Sequence, residues 1–104
     1  MGIVTYLSSG DVITQNQITN WEKNYDFGIF SQSSTNEIIS FNILVKTTMT
    51  SLDYGGYAIY LLSNNNSSIC NNTITTLLSS GVCGIVLQET TGTLVEGNNV
   101  QTGT

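Results

Sequence analysis

Proline, histidine and arginine are missing from these 104 residues, and no apolar run approaches the length of a membrane span. Without proline, the chain must make its turns from Gly, Asn, Ser and Asp. Without histidine, and with only Cys70 and Cys83 as thiols, it has no zinc or copper ligand pattern, so no metal or cofactor is expected. Its only cations are Lys23 and Lys46 against seven acidic residues, for a net charge of -5. That balance excludes a basic patch for nucleic-acid phosphates or an anionic membrane, and membrane insertion is not expected. Residues 1–15 also lack the basic start and continuous apolar region of a secretory signal. What remains is polar without being charged: Asn, Thr and Ser throughout, interleaved with regularly placed Ile, Val, Tyr and Phe. Such a composition belongs to an ordered chain of high strand propensity rather than a disordered one.

The chain repeats itself. Ile13-x-x-Asn16-x-Ile18 returns as Ile39, Asn42, Leu44, then as Ile69, Asn72, Ile74, and finally as Val95, Asn98, Val100, at intervals of 26, 30 and 26 residues. A small residue followed by Ile keeps the same intervals at Gly2-Ile3, Gly28-Ile29, Ala58-Ile59 and Gly84-Ile85. The distance from each small residue to the next Asn is constant, so the extra four residues lie between Lys46 and Tyr57. Fixed and variable sectors of this kind mark a solenoid with one lengthened loop.

The segments are too short and too alternating for helical repeats. One strand per unit is read at "FGIFS", "YAIYL" and "CGIVL", with Phe27, Ile29 and Ser31, then Tyr57, Ile59 and Leu61, then Cys83, Ile85 and Leu87 expected inward, and Phe30, Tyr60 and Val86 outward. The pair before each Asn supplies a second strand, and the apolar residue two after it begins a third. Three strands and three turns in about 26 residues make one coil of a parallel β-helix, whose edges and core only neighbouring coils complete. The sequence therefore predicts an all-β chain, a right-handed parallel β-helix of about four short coils starting near 2, 28, 58 and 84, with residues 1–104 as one module. An antiparallel sandwich of repeated hairpins is the competing architecture. Asn16, Asn42, Asn72 and Asn98 are expected to form a structural column at one turn, and Gly10, Asn36, Asn66 and Gly92 to occupy left-handed positions at another.

The repeated "N-x-I" with "G-I" and "N-N" resembles the right-handed β-helix repeat of periplasmic copper-maturation proteins, pectate-lyase-like enzymes, alginate epimerases, phage tailspikes and surface adhesins. The resemblance spans Gly2 to Val100 and supplies the handedness, together with the usual crossover rule. It rests on structural residues, so it implies a fold and not an activity. Lyases of this group would imply clustered aspartates for calcium and a basic proton acceptor; here Asp26 aligns with Gly56 and Val82, and Asp53 with Lys23 and Ser79. No column of acids is expected, and Asp26 and Asp53 are the only catalytic candidates.

The lengthened loop, beside "NWEKNYDF", is where a contact surface is expected, with Trp21, Tyr25 and Tyr54 stacking on a sugar and Asp53 bonding its hydroxyls; the competing expectation is that Trp21 simply covers the coil. Cys70 should face outward and Cys83 inward, unbridged. The reading is a structural or carbohydrate-contacting module of an extracellular, cell-surface or virion protein, contacting a glycan or surface receptor. The alternative is a fragment of a polysaccharide lyase or glycoside hydrolase. The chain is expected to be a piece of a longer protein or a self-stacking unit, forming a homo-oligomer through its coil ends.

Overall fold

The computed structural model describes residues 2–21, 27–46, 56–76 and 82–102. Each of these four segments is one coil of three strands. Coil 1 holds β1 (Ile3–Tyr6), β2 (Val12–Thr14) and β3 (Gln17–Thr19). Coil 2 holds β4 (Phe27–Gln32), β5 (Ile38–Ser40) and β6 (Ile43–Lys46). Coil 3 holds β7 (Gly56–Leu62), β8 (Ser68–Cys70) and β9 (Thr73–Thr76). Coil 4 holds β10 (Val82–Gln88), β11 (Leu94–Glu96) and β12 (Asn99–Thr102).

Equivalent strands pair, always parallel, into three sheets: β1-β4-β7-β10, β2-β5-β8-β11 and β3-β6-β9-β12. The chain is a parallel β-solenoid, and the all-parallel pairing removes the antiparallel sandwich. Register follows the sequence repeat: Ile3, Ile29, Ile59 and Ile85 stand in one column, and Ile13, Ile39, Ile69 and Val95 in another. These columns and that of Leu44 and Ile74 make the core, in which each fully buried aliphatic side chain contributes about 1.5–3 kcal/mol.

Three columns of left-handed residues line the turns, two in the connection between the first and second sheets and one in the connection between the second and third. The first column is Leu7, Ser33, Ser63 and Glu89, with φ of 51°, 53°, 55° and 54°. The second is the expected Gly10, Asn36, Asn66 and Gly92. The third is Gln15, Phe41, Asn71 and Gly97. A left-handed Leu or Phe is unfavourable alone; stacked strands on either side hold it there.

The structure corrects one inward column. Gly28 and Ile29 are both fully or nearly fully buried and consecutive, as are Ala58 and Ile59, so the alternation of β4 and β7 shifts phase at that step. A Cβ on Gly28 would lie 2.6 Å from Leu44 Cδ2 and 2.6 Å from the Ala58 carbonyl oxygen, which shows the glycine aimed into a narrow interior. The residues before the step, Phe27 and Tyr57, consequently stand outside rather than inside. The side chain of Cys83, expected in the same slot, lies outside the described residues.

Candidate functional site

Two polar ladders run through the stack. In the first, the side-chain oxygen of each Asn accepts from the Asn one coil earlier: Asn42 Oδ1 from the backbone N–H and Nδ2–H of Asn16, Asn72 Oδ1 from those of Asn42, and Asn98 Oδ1 from those of Asn72, all at 2.9–3.0 Å. The second amide hydrogens of Asn42, Asn72 and Asn98 go to the carbonyls of Ile13, Ile39 and Ile69. Each inner amide thus meets its full donor and acceptor capacity inside a buried turn. The second ladder links Ser8 N–H to Ser34 Oγ at 3.2 Å and Ser34 N–H to Asn64 Oδ1 at 3.0 Å, with Asn64 Nδ2 donating to Ser31 Oγ at 2.7 Å.

Next to the second ladder, Asp11 of coil 1 and Glu37 of coil 2 occupy equivalent positions of the repeat, followed by Ser67 and Thr93. A column with two acids therefore exists, contrary to the expectation of none. Glu37 is 0% exposed; its Oε1 accepts from Ser8 Oγ at 3.4 Å, and its Oε2 has no partner. Burial, reinforced by the neighbouring Asp11 charge, pushes the Glu37 carboxyl above its ordinary value. A carboxyl group sealed inside the coil cannot reach a polymer lying on the outside, so Glu37 belongs to the interior, beside a half-buried Asp11.

The outer face of the first sheet is different in kind. Phe27 and Phe30 stack with ring centroids 4.6 Å apart, and Phe27 stacks on Tyr57 of the next coil at 5.5 Å. Phe30 meets Tyr60 at 5.6 Å, and Tyr57 meets Tyr60 edge-on at 5.0 Å. All four rings are half-buried, packed against one another on the surface. The Tyr60 hydroxyl donates to Gln88 Oε1, Tyr6 is exposed on the same sheet, and Val4 extends the apolar strip along coil 1. The phase shift at Gly28 and Ala58 creates this cluster, because it brings positions 27 and 30, and 57 and 60, onto one face.

Of the residues singled out for ligand contact, Trp21 is 3% exposed and belongs to the core cluster, with Lys46 Nζ donating to its carbonyl and lying 5.7 Å from its ring centroid. Its indole packs the coil and offers no ring face to a sugar. Tyr25, Asp26, Asp53 and Tyr54, with the lengthened loop at 47–55, lie outside the described residues. Cys70 is a half-buried free thiol. Sequence reasoning missed the aromatic face because it carried strict alternation through β4 and β7. The signal was present as Phe27 and Phe30, then Tyr57 and Tyr60, three apart in consecutive coils.

No group of three or more His, Cys, Asp or Glu suited to a metal ion occurs among the described residues, and no helix there is long and apolar enough to cross a membrane. Comparison with known proteins finds no family model, no curated protein and no solved structure that matches this chain.

Proposed function

We propose that this chain is a rigid, non-catalytic β-helical module whose aromatic sheet face contacts carbohydrate, within an extracellular, cell-surface or virion protein. The observation that carries the reading is the cluster of Phe27, Phe30, Tyr57 and Tyr60 on the outside of the first sheet. Aromatic rings offer apolar surface to the C–H faces of a sugar, while Gln32, Gln88 and the tyrosine hydroxyls flank them with uncharged hydrogen-bonding groups. Registered strands fix the spacing of these groups without loop ordering, which lowers the entropic cost of binding. The scarcity of charge favours a neutral glycan over an acidic one. The alternative, a piece of a polysaccharide-cleaving enzyme, draws less support, since Glu37 is enclosed in the coil.

Affinity electrophoresis through gels containing neutral polysaccharides, followed by a glycan array, tests the reading. Retardation of the unmodified chain, reduced at least tenfold in affinity by Phe30→Ala or Tyr60→Ala with the circular dichroism unchanged, supports it. Binding untouched by both substitutions, or no retention on any glycan, removes it.

A further inference from the structure

The outer face of the first sheet is long in one direction and short in the other. Along the stack, Val4, Phe30, Tyr60 and Val86 stand in register, one per coil, and beside them Tyr6, Gln32, Leu62 and Gln88 do the same. Neighbouring coils are about 4.8 Å apart, so each column runs about 14 Å from coil 1 to coil 4. The four strands that carry these columns contain no charged residue. Across the stack, the face ends at the left-handed column of Leu7, Ser33, Ser63 and Glu89, where the Glu89 carboxylate accepts from Ser63 Oγ at 3.0 Å. An extended uncharged polymer therefore fits along the stack better than across it.

The second column alternates in chemistry. Gln32, Leu62 and Gln88 place amide, aliphatic and amide groups on successive coils, beside the rings of Phe30 and Tyr60. Gln88 Oε1 accepts from the Tyr60 hydroxyl one coil earlier, which holds that amide next to the ring. The period from amide to amide is two coils, about 9.6 Å. In a flat β-1,4-linked glycan each sugar advances by about one coil spacing, about 5 Å, and is turned over relative to the one before it. One edge of such a ribbon thus presents equivalent hydroxyls at every second sugar. Glucans linked α-1,4 or β-1,3 coil instead, and lose step with a straight column.

We propose, resting on the glycan reading of this face, that it binds a neutral β-1,4-linked polysaccharide of the glucan, mannan or chitin class, laid along the stack with one sugar per coil. Alternate sugars set hydroxyls against Gln32 and Gln88, and the sugar between them lies against Leu62. Phe30 and Tyr60 take the apolar C–H surface of the ribbon. Both rings belong to coils 2 and 3, each of which has a coil on either side of it. Strand pairing fixes the spacing before any ligand arrives, so little ordering is left for binding to impose.

Affinity electrophoresis of the unsubstituted chain compares hydroxyethyl cellulose and glucomannan with amylose, dextran and a β-1,3-glucan. Retention at least tenfold stronger on the two β-1,4-linked polymers is expected. Calorimetry with β-1,4-linked oligosaccharides of two to six sugars should show affinity rising up to about four sugars, one for each coil, and level beyond. Gln32→Ala and Gln88→Ala, with circular dichroism unchanged, should each weaken binding to glucomannan at least threefold. Equal or stronger retention on amylose or the β-1,3-glucan, affinity already level at two sugars, or binding untouched by both Gln substitutions overturns the ribbon assignment, while the glycan reading stands. Retention on none of the five polymers overturns both.

Discussion

Asn42 Oδ1 accepts two hydrogen bonds from Asn16, one from its backbone N–H and one from its Nδ2–H, both at 3.0 Å. The same double acceptance joins Asn72 to Asn42 and Asn98 to Asn72. An inner rung therefore serves groups in the coil on each side of it. Asn72→Ala strands the Asn42 backbone N–H and the Ile39 carbonyl in a buried turn, at about 1–3 kcal/mol for each group. Asn16→Ala removes only the last donor of the ladder and leaves the residue 16 backbone N–H on Asn42 Oδ1, so about 1 kcal/mol is expected. Urea denaturation of the two variants checks the asymmetry, and equal losses would count against the ladder as described.

Glu37 makes stability depend on pH. Its carboxyl holds its proton more tightly in the folded chain than in the unfolded one, first through burial and then through the charge of Asp11. A raised acid stabilises the fold most below its unfolded value, about 4.3, and that contribution is lost as pH rises through the higher folded value. Thermal melting should therefore show a larger fall in stability on going from about pH 4 to about pH 7 for the unsubstituted chain than for Glu37→Gln. Glu37→Gln should be the more stable of the two at neutral pH. Parallel pH profiles for the two proteins would dismiss the buried carboxyl as the cause.

Gly28 and Gly10 should respond in opposite ways to a side chain. The Gly28 Cβ position is 2.6 Å from Leu44 Cδ2 and from the Ala58 carbonyl oxygen, so Gly28→Ala must displace a core side chain and a strand backbone at once. A loss of about 2–3 kcal/mol is expected, typical of overpacking. Gly10 has φ of +75° with nothing within 4 Å of its Cβ position, and Asn holds the equivalent place in coils 2 and 3. Gly10→Asn should leave stability unchanged or raise it by up to about 0.5 kcal/mol, by restricting the unfolded chain. Denaturation midpoints of both variants decide the matter.

Trp21 and Tyr60 separate packing from contact. Trp21→Ala empties a core position and should cost about 3–5 kcal/mol. Glycan retention by the fraction that remains folded should not change. Tyr60→Ala removes a half-buried surface ring, costs less than half as much stability, and lowers retention. The reverse pattern would return the contact surface to the edge where Trp21 lies.

Much of the architecture is legible before any coordinates, because a solenoid writes its geometry as intervals. Asn16, Asn42, Asn72 and Asn98 carry the coil length directly, and the apolar residues around each Asn mark two of the three sheets. The first sheet misleads for a local physical reason. The interior opposite Ile18 and Leu44 leaves no room for a side chain at Gly2 and Gly28, and Ala stands at the equivalent position 58; two successive residues point inward there, so the period-2 reading inverts at Phe27 and Tyr57. Two left-handed corner columns were equally hidden, since Leu7, Phe41 and Gln15 carry no propensity for that conformation and are held there by neighbouring strands. The acids Asp11 and Glu37 fall in register by the same 26-residue interval as the asparagines. Their pairing needed only the alignment, but their burial depended on knowing which side of the turn faces in.

The parallel pairing has a mechanical consequence. Hydrogen bonds between strands lie along the direction in which the coils stack, so a pull in that direction loads them directly. At each junction between coils the three sheets share the load side by side with one asparagine rung, while successive junctions bear the same force in series. Tensile strength is then that of the weakest junction and does not grow with the number of coils, whereas resistance to bending comes from all three sheets together.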